Sequence, residues 1–288
     1  MIKMPSGSGG NRGRLGCRVF EIDFREILTL AMIFIPLERL LPQRPGQRVL
    51  RKQWLNDVFY LVGNGIVIRL GMLAIFAGLM VVAPFRPPAG GAGFIGSLPL
   101  WAEVILAIII ADIGFYAHHR LFHAVPFLWR FHAVHHSIEE LDWLAAHRVH
   151  PFDQIVSSSF MMLPLYFLGF SAEAMVILGL IYLLTSHLVH ANVALDFGPL
   201  RYVFASPHFH HWHHSNVPGT HDTNFSGQLV FMDLLLGTFR LPGAYPERYG
   251  TDDPVPEIYP LQLAWPLLRE HRDGAAAPSA PRTEPEAS

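Results

Sequence analysis

Histidine is the residue whose number and spacing distinguish this chain. The sequence holds 17 histidines, and 16 of them lie between His118 and His221. Imidazole is a ligand for iron, zinc, copper and nickel, and it binds metal in its neutral form. So many imidazoles close together cannot all carry a proton, because like charges repel. We therefore expect this stretch to be largely neutral and able to bind metal.

Four histidine clusters have the spacing of a single helix face. Residues three and four apart on a helix lie on the same side, with about 5–6 Å between their Cβ atoms. Each cluster can therefore direct two or three imidazoles at one point. The clusters offer ten histidines, more than the roughly four to six ligands that one ion takes, which predicts two metal ions. They are His119 and His123; His132, His135 and His136; His187 and His190; and His210, His213 and His214.

Simpler interpretations apply to the other histidines and to the tract as a whole. The histidines interpreted as ordinary polar residues are His118, His147, His208, His211, His221 and His271. A low-complexity metal-binding tract is the other interpretation, but such tracts usually lack helical spacing. The repeated H-x2-H-H pattern favours a specific site. The single cysteine, Cys17, excludes a multi-thiolate zinc or iron–sulfur site within one chain.

Long apolar segments must position these clusters. The chain is 51% hydrophobic and 15% charged, whereas a soluble domain has about 25% charged residues. Its net charge of -2, without a basic stripe, argues against nucleic-acid binding. A helix needs about 20 apolar residues to cross a bilayer, so several such runs predict a multi-pass membrane protein. The runs are 27–37, 54–84, 98–117, 155–170 and 174–189, of which the last two predict a tight helical hairpin.

The placement of Lys and Arg predicts the orientation. Loop 43–53 holds four basic residues, loop 85–99 holds one, and segment 118–151 holds three. Basic loops stay on the cytoplasmic side of a membrane. The predicted fold class is therefore all-α, a multi-pass membrane helical bundle with a cytoplasmic histidine-rich cap that holds a dinuclear metal site.

Composition also predicts how the chain is divided. A Gly/Ser/Arg-rich start and an Ala/Pro/Glu-rich end are typical of segments without a packed core. The predicted units are a flexible segment 1–20, membrane helices 21–110, a catalytic domain 111–245, an extension 246–271 and a disordered tail 272–288.

The motifs between Asp112 and Phe239 together resemble one known family. In chain order they read Asp112-x6-His119-Arg-x2-His123, His132-x2-His135-His136-Ser137, Arg148-x-His150-Pro151, His190-Ala-Asn192, Ser206-Pro207-x2-His210-x2-His213-His214-Ser215, Asp222-x-Asn224-Phe225, and Asp233 before Leu236-Gly237-Thr238-Phe239. This pattern is similar to that of the fatty acid hydroxylase / sterol desaturase superfamily of integral-membrane, non-haem di-iron enzymes. The match is specific for the superfamily but not for a substrate.

The resemblance implies a ligand set and leaves two histidines open. The implied ligands are His119, His123, His132, His135, His136, His190, His210, His213 and His214, with His187 as a tenth. His150 is either a ligand, a residue that supports one, or a substrate contact. The spacing favours His119 over its neighbour His118, because His119 precedes His123 by four residues.

Further polar residues are candidates for orienting the ligands. Asp112 lies two helical turns before His119, so its carboxylate is expected to accept from an imidazole N–H. An acid within an apolar run also needs a partner. Arg148 is expected to pair with a carboxylate or a lipid head group. The other candidate orienting residues are Asn192, Asp222, Asn224 and Asp233.

The function that the resemblance implies is oxidation of a lipid. Two iron ions would use O2 to hydroxylate or desaturate an unactivated C–H bond, with zinc able to replace iron in purified or crystallised protein. The lipid would be a sterol, fatty acyl chain, ether lipid or carotenoid. Electrons would come from a cytochrome b5-like protein, a ferredoxin or a reductase, since the chain shows no flavin, haem or iron–sulfur motif of its own. A membrane metal transporter and a zinc-dependent membrane hydrolase are the alternatives.

Overall fold

The computed structural model describes residues 24–82 and 93–268. The predicted flexible segment 1–20, the predicted tail 272–288 and most of loop 85–99 lie outside the described residues. The ten α-helices of the described part are α1 (Phe24–Leu40), α2 (Trp54–Val82), α3 (Gly93–Gly96), α4 (Leu100–Ala124), α5 (Pro126–His136), α6 (Pro151–Leu168), α7 (Ala172–His190), α8 (Pro207–His213), α9 (Phe231–Leu236) and α10 (Tyr259–Leu268). Two 3-10 helices cover Trp143–His147 and Gly198–Tyr202.

The prediction of an all-helical membrane bundle is confirmed. The described residues contain isolated β-bridges but no β-strand. Three of their helices are long and apolar enough to cross a membrane by length and composition, namely Trp54–Val81, Leu100–Ala124 and Ala172–His190. Helices α1 and α6 do not reach that criterion, so fewer of the apolar runs qualify as spans than the sequence suggested.

Helix α4 is the centre of the bundle. It packs against α5, α6 and α7, and its small residues Ala107 and Ala111 are fully buried. At Gly114 the backbone of α6 comes so close that an added Cβ would lie 2.3 Å from the Phe160 carbonyl oxygen. Helix α4 also continues through the predicted domain boundary at residues 110 and 111, because nothing in its sequence interrupts the helix there.

Helices α6 and α7 follow one another without forming the expected tight hairpin. Gly169 ends α6 in the left-handed conformation (φ 80°), and Ser171 begins α7 by accepting from the Ala174 amide. Helix α6 packs mainly on α4, and α7 packs on α4 and on the 3-10 helix Trp143–His147, rather than on each other. Glu103 of α4 fixes the turn, since its carboxylate accepts from the Ser171 amide (2.5 Å) and hydroxyl (2.8 Å).

Helix α2 is longer than a bilayer requires. Its 29 residues extend about 44 Å, against a hydrocarbon core of about 30 Å. The first part packs into the cap, where Asp57 and Tyr60 are buried and Asn64 donates to the Val149 carbonyl (2.6 Å). Leu73 and Val81, further along, are exposed. The helix thus connects the cap to the membrane.

Candidate metal centre

The structure gathers nine of the ten predicted histidines into two groups. In each group, one potential ligand atom per residue lies within 4.8 Å of all the others. We name them the five-histidine group and the four-histidine group. The first contains His119, His123, His132, His136 and His213. The second contains His135, His190, His210 and His214.

Four helix ends meet to form these groups. The C-terminal turns of α4 and α7 contribute from the membrane helices, and α5 and α8 contribute from the cap. Helix α5 serves both groups, because His132 and His136 are four residues apart while His135 points to the other group. The α8 segment also serves both groups: His213 belongs to the five-histidine group, whereas His210 and His214 belong to the four-histidine group. Two adjacent sites therefore share the same short helices.

Hydrogen bonds on the outer side of the rings fix which nitrogen faces inward. His119 Nδ1 donates to the Phe225 carbonyl (2.7 Å), and His135 Nδ1 donates to the Arg148 carbonyl (3.0 Å). A carbonyl oxygen can only accept, so the proton must lie on Nδ1. Nε2 of a neutral imidazole is then a bare lone pair. Three further rings are held in this way by acceptors: His190 by the Ser186 carbonyl (2.7 Å), His213 by the Thr223 carbonyl (2.8 Å) and His132 by the Asp153 carboxylate (2.7 Å).

The inward nitrogens of each group are close enough together to share a cation. His119 Nε2 lies 3.0 Å from His132 Nε2, and His135 Nε2 lies 3.2 Å from His190 Nε2. Both atoms of each pair are acceptors, so they cannot hydrogen-bond to one another. Ligands at right angles on a metal with bonds of about 2.1 Å would be about 3.0 Å apart. The separation therefore fits imidazoles that share one ion.

Other atoms of the site support the same fit. His190 Nε2 also lies 3.0 Å from His210 Nε2 and 3.3 Å from His214 Nε2, so it is the hub of the four-histidine group. In the five-histidine group, His123 Nε2 is buried without a hydrogen-bond partner in the described part of the chain. A donor set made of imidazole alone suits iron, zinc, copper or nickel.

Burial keeps the cap histidines neutral. Desolvation lowers the pKa of His132 to about 3 and that of His135 to about 4. It also holds the pKa values of His136, His210, His213 and His214 well below the ordinary value. A shared proton therefore does not bridge these nitrogens near neutral pH, and the rings are ready to bind metal.

These shifts predict a pH-dependent stability of the metal-free protein. An unfolded histidine has a pKa of about 6.5, above the folded values, so the unfolded chain takes up more protons as the pH falls from 7 to 4. The free energy of unfolding should therefore fall in that window. Melting temperatures of chelator-treated protein at pH 7 and pH 5 test this expectation. An equal or higher melting temperature at pH 5 would contradict it.

The two groups lie side by side. The rings of His136 and His214, one from each group, are stacked with centroids 4.7 Å apart. The rings of His132 and His135 lie 5.5 Å apart, and those of His210 and His213 lie 5.3 Å apart. The two groups could therefore hold two adjacent metal ions.

Asp153 is an orienting residue that sequence reasoning missed. Its Oδ2 accepts from His132 Nδ1 (2.7 Å), and its Oδ1 lies 2.8 Å from His118 Nε2. The residue is buried near the start of α6. The available signal was a lone acid two residues after the His150-Pro151 motif, at the edge of an apolar run.

Replacing Asp153 with asparagine should weaken metal binding. The variant removes the negative charge that raises the basicity of His132, and it offers an amide that can turn its NH2 towards the ring. Such changes cost about 10- to 100-fold in metal affinity. Competition with a chelator measures the affinity, and the exposed Glu247→Gln is the control. An unchanged affinity in Asp153→Asn would remove the assigned role.

Asp112 and Asp233 hold a backbone loop rather than an imidazole. Asp112 accepts from the amides of Gly227 (3.2 Å), Gln228 (2.9 Å) and Leu229 (2.9 Å). Asp233 accepts from the amides of Phe225 (2.8 Å) and Ser226 (2.9 Å). The expectation that Asp112 contacts an imidazole differs from the structure, because seven residues span about 10 Å along a helix. Five consecutive amides are fixed in this way, and the loop presents the Phe225 carbonyl to His119.

Asp222, Asn224 and Asn192 have different roles. Asp222 accepts from His123 Nδ1 (3.0 Å), and this hydrogen bond lowers the pKa of Asp222. Asn224 ties the loop to the Phe209 and Arg240 backbone. Asn192 bonds both backbone groups of Arg44. Of these three, only Asp222 contacts one of the gathered histidines directly.

Arg148 and His150 lie beside the centre without joining it. The Arg148 guanidinium pairs with Asp57, which is the carboxylate partner that was one of the two expectations for it. The Arg148 backbone carbonyl accepts from His135. His150 begins α6: its Nδ1 accepts from the Phe152 amide (3.1 Å) and its Nε2 donates to the Leu263 carbonyl (3.2 Å). With both nitrogens engaged, His150 belongs to neither group.

His187 is the one predicted ligand that lies apart from both groups. Its Nδ1 donates to the Leu183 carbonyl (2.6 Å), and its Nε2 lies 2.9 Å from His147 Nε2. Its ring stacks on Phe34 with centroids 5.7 Å apart. Three residues before His190 on α7, it faces the packing with α1 and the 3-10 helix Trp143–His147.

A cavity of about 420 Å³ connects the histidines to the membrane helices. Its walls come mainly from α2, α4, α6 and α7, and residues of α1, α5, α8 and the 3-10 helix Trp143–His147 complete them. Histidines of both groups line it, namely His119, His132, His135, His190 and His210. Apolar side chains such as Phe115, Leu61 and Leu183 also line it, together with polar residues such as Asn64 and Asp153.

Fold and site together define a membrane helical protein with two adjacent all-histidine groups fit to hold metal. The family model for fatty acid hydroxylase matches residues 104–238. The chain is 33% identical over 262 residues to the ornithine lipid hydroxylase OlsE of Rhizobium tropici. The aligned region covers 88% of this chain and 77% of that protein. The chain therefore belongs to the fatty acid hydroxylase / sterol desaturase superfamily.

More distant relatives carry related names. The alkylglycerol monooxygenase of Xenopus tropicalis is 29% identical over 158 residues, or 55% of this chain and 35% of that protein. The alkylglycerol monooxygenase of Danio rerio is 32% identical over 173 residues, or 57% of this chain and 36% of that protein. The matched region spans about a third of the length of these two relatives. No solved structure matches the chain.

Proposed function

We propose that this protein is a membrane-bound di-iron oxygenase that hydroxylates a C–H bond of a lipid. The observation that carries the proposal is the cavity between the membrane helices, because histidines of both groups face it. A lipid in that cavity would lie against both metal positions. The relatives support the reaction class, since they are named as a lipid hydroxylase and as monooxygenases.

The nine gathered histidines would hold the iron. Five would ligate one ion and four the other, and His187 and His150 would ligate neither. When bound, the two irons would supply O2 activation and oxidation of an unactivated C–H bond. Iron rather than zinc is proposed because the relatives are oxygenases by name, while the donor set alone suits either metal.

The chain's own residues would place the lipid and exclude water. The rings of Phe115 and Tyr182 lie 5.9 Å apart in the cavity wall, and the Phe115 ring lies 5.2 Å from that of His119. These aromatic side chains would fix a carbon next to the metal. A well-oriented substrate and a dry site are the main contributions that a protein makes to such a reaction.

The histidine-bearing cap is proposed to face the cytoplasm. The basic residues of loop 43–53 support this orientation by the positive-inside rule. Arg51 supports it less than the others, because it is buried in ion pairs with Asp57 and Asp142. Electrons would then come from a cytoplasmic donor such as a cytochrome b5-like protein, a ferredoxin or a reductase.

Oxygen uptake by purified protein in lipid vesicles tests the function. We expect uptake that requires both a reductant and a lipid, with one atom from isotope-labelled O2 in the product. Loss of two hydrogens without added oxygen would indicate a desaturase instead. A lipid changed without O2, or cation movement without lipid change, would favour the hydrolase or the transporter and contradict the proposal.

A further inference from the structure

Arg69 is a charged residue in the middle of a membrane helix. It lies in α2 within the candidate span Trp54–Val81. Its side chain is exposed, and within residues 24–82 and 93–268 no carboxylate or hydrogen-bond acceptor contacts its guanidinium. A charge at membrane depth is costly, so such residues are usually paired or functional. The described part of the chain supplies no such partner for Arg69.

Contacts between α2 and α6 define the depth of Arg69. The Ser159 hydroxyl lies 3.7 Å from Met72 Sδ, and the Tyr166 hydroxyl lies 3.8 Å from Met80 Sδ. The two helices thus run side by side in the same direction. Arg69 precedes these contacts, which puts it level with the first turns of α6. Those turns also carry Asp153, the residue that holds His132.

Arg69 is among the residues that line the same cavity as the histidines. Arg69, Gln154 and Ser157 all line it. The Gln154 and Ser157 side chains likewise make no hydrogen bond with another described residue. One cationic and two neutral polar side chains that line the cavity therefore have no hydrogen-bond partner among the described residues.

We propose that Arg69 binds an acidic group, a carboxylate or a phosphate, of the lipid that occupies this cavity. Gln154 and Ser157 would donate further hydrogen bonds to the same group. The planar guanidinium offers paired N–H donors that match either oxyanion. This inference rests on the proposed function, because it takes the occupant of the cavity to be the substrate. It assigns the substrate to the lipids that carry an acid.

Binding of three single-chain lipids to detergent-solubilised protein tests the proposal. The probes are N-palmitoylglycine for the carboxylate, palmitoyl lysophosphatidate for the phosphate and monopalmitoylglycerol as the neutral lipid. Arg69→Met is compared with Arg69→Lys, which keeps the charge. Arg39→Met is the matched control, because Arg39 is an exposed arginine in the last turn of α1 and does not line the cavity.

The expected result is a selective loss. Arg69→Met should bind at least one acidic probe about 10- to 100-fold more weakly, the value of a charge-assisted hydrogen bond. Arg69→Met should bind monopalmitoylglycerol as tightly as wild type does. Arg69→Lys should lose less affinity for the acidic probe, and Arg39→Met should bind all three lipids with wild-type affinity. The acidic probe that is affected identifies the group as carboxylate or phosphate.

Several results would overturn the proposal. Equal binding of acidic probes by wild type and Arg69→Met would exclude Arg69 as the anchor. An equal loss of all three lipids would mean that Arg69 only shapes the cavity. A matching loss in Arg39→Met would indicate general attraction of anions to the surface. Binding is measured without turnover, so the two proposals can fail separately. If the protein oxidises no lipid but Arg69→Met still loses binding of an acidic probe, the proposed function is wrong and the assignment of Arg69 stands.

Discussion

Replacing His190 with alanine is expected to abolish lipid oxidation while leaving the protein folded in the membrane. His190 Nε2 lies within 3.3 Å of three other inward nitrogens, so the change removes the hub of the four-histidine group. Loss of residues that merely orient ligands costs about 10- to 100-fold, so loss of this ligand should exceed about 100-fold in turnover. Bound iron should fall by about half, since the five-histidine group is intact.

The control for this prediction is His221→Ala. His221 is exposed, belongs to neither group, and its change should leave turnover and iron content as in wild type. Turnover and metal analysis are measured on the same preparation. Retention of more than about a tenth of wild-type turnover by His190→Ala would contradict the assigned ligand role.

Replacing Asp57 with alanine is expected to give the largest loss of stability. Asp57 pairs with Arg51 (2.5 Å) and with Arg148, and all three side chains are fully buried. The variant leaves Arg148 without its carboxylate and Arg51 with Asp142 alone. Removing one partner of a buried ion pair costs about 3–5 kcal/mol. Denaturant titration of the solubilised protein measures the free energy of unfolding.

An exposed ion pair is the control for Asp57. Asp252 lies 3.7 Å from Arg248 on the surface, with 82% of its side chain exposed. Asp252→Ala should change the free energy of unfolding by no more than about 1 kcal/mol. A loss below about 1 kcal/mol in Asp57→Ala would show that the buried network is not a main support of the cap. Metal affinity should also fall in Asp57→Ala, because the Arg148 carbonyl holds His135.

Helical spacing explains why the histidine clusters could be found in the sequence. An i, i+3 or i, i+4 pair shares a helix face wherever the helix packs, and nine of the ten histidines chosen in this way come together. Spacing does not say which face points to the site. His187 has the right spacing from His190, yet α7 turns it towards Phe34 and His147. Ligation itself stays a prediction for all nine.

The residues that orient the ligands were much harder to predict. Most of the outer hydrogen bonds end on backbone carbonyls, such as those of Phe225 and Arg148. Every residue has a carbonyl, so no residue type marks these positions. Asp112 was found by its spacing from His119, but its carboxylate lies about two helical turns from that ring. It accepts hydrogen bonds from the amides of Gly227–Leu229 instead. Asp153 depends on a contact between helices that the sequence does not display.

The number of membrane spans shows the limit of hydropathy. Each of the three spans overlaps one predicted apolar run. Helix α6 is also apolar, but its start is occupied by the site and Pro164 lies within it. Its packing on α4, rather than on α7, follows from the close approach at Gly114, which hydropathy cannot reveal.

Metal analysis of protein purified without oxygen tests the central claim most directly. The arrangement of five and four inward imidazoles predicts about two iron ions per chain, reduced to about one in His190→Ala. A single zinc ion per chain, or no stoichiometric metal, in a folded preparation would contradict a dinuclear iron centre.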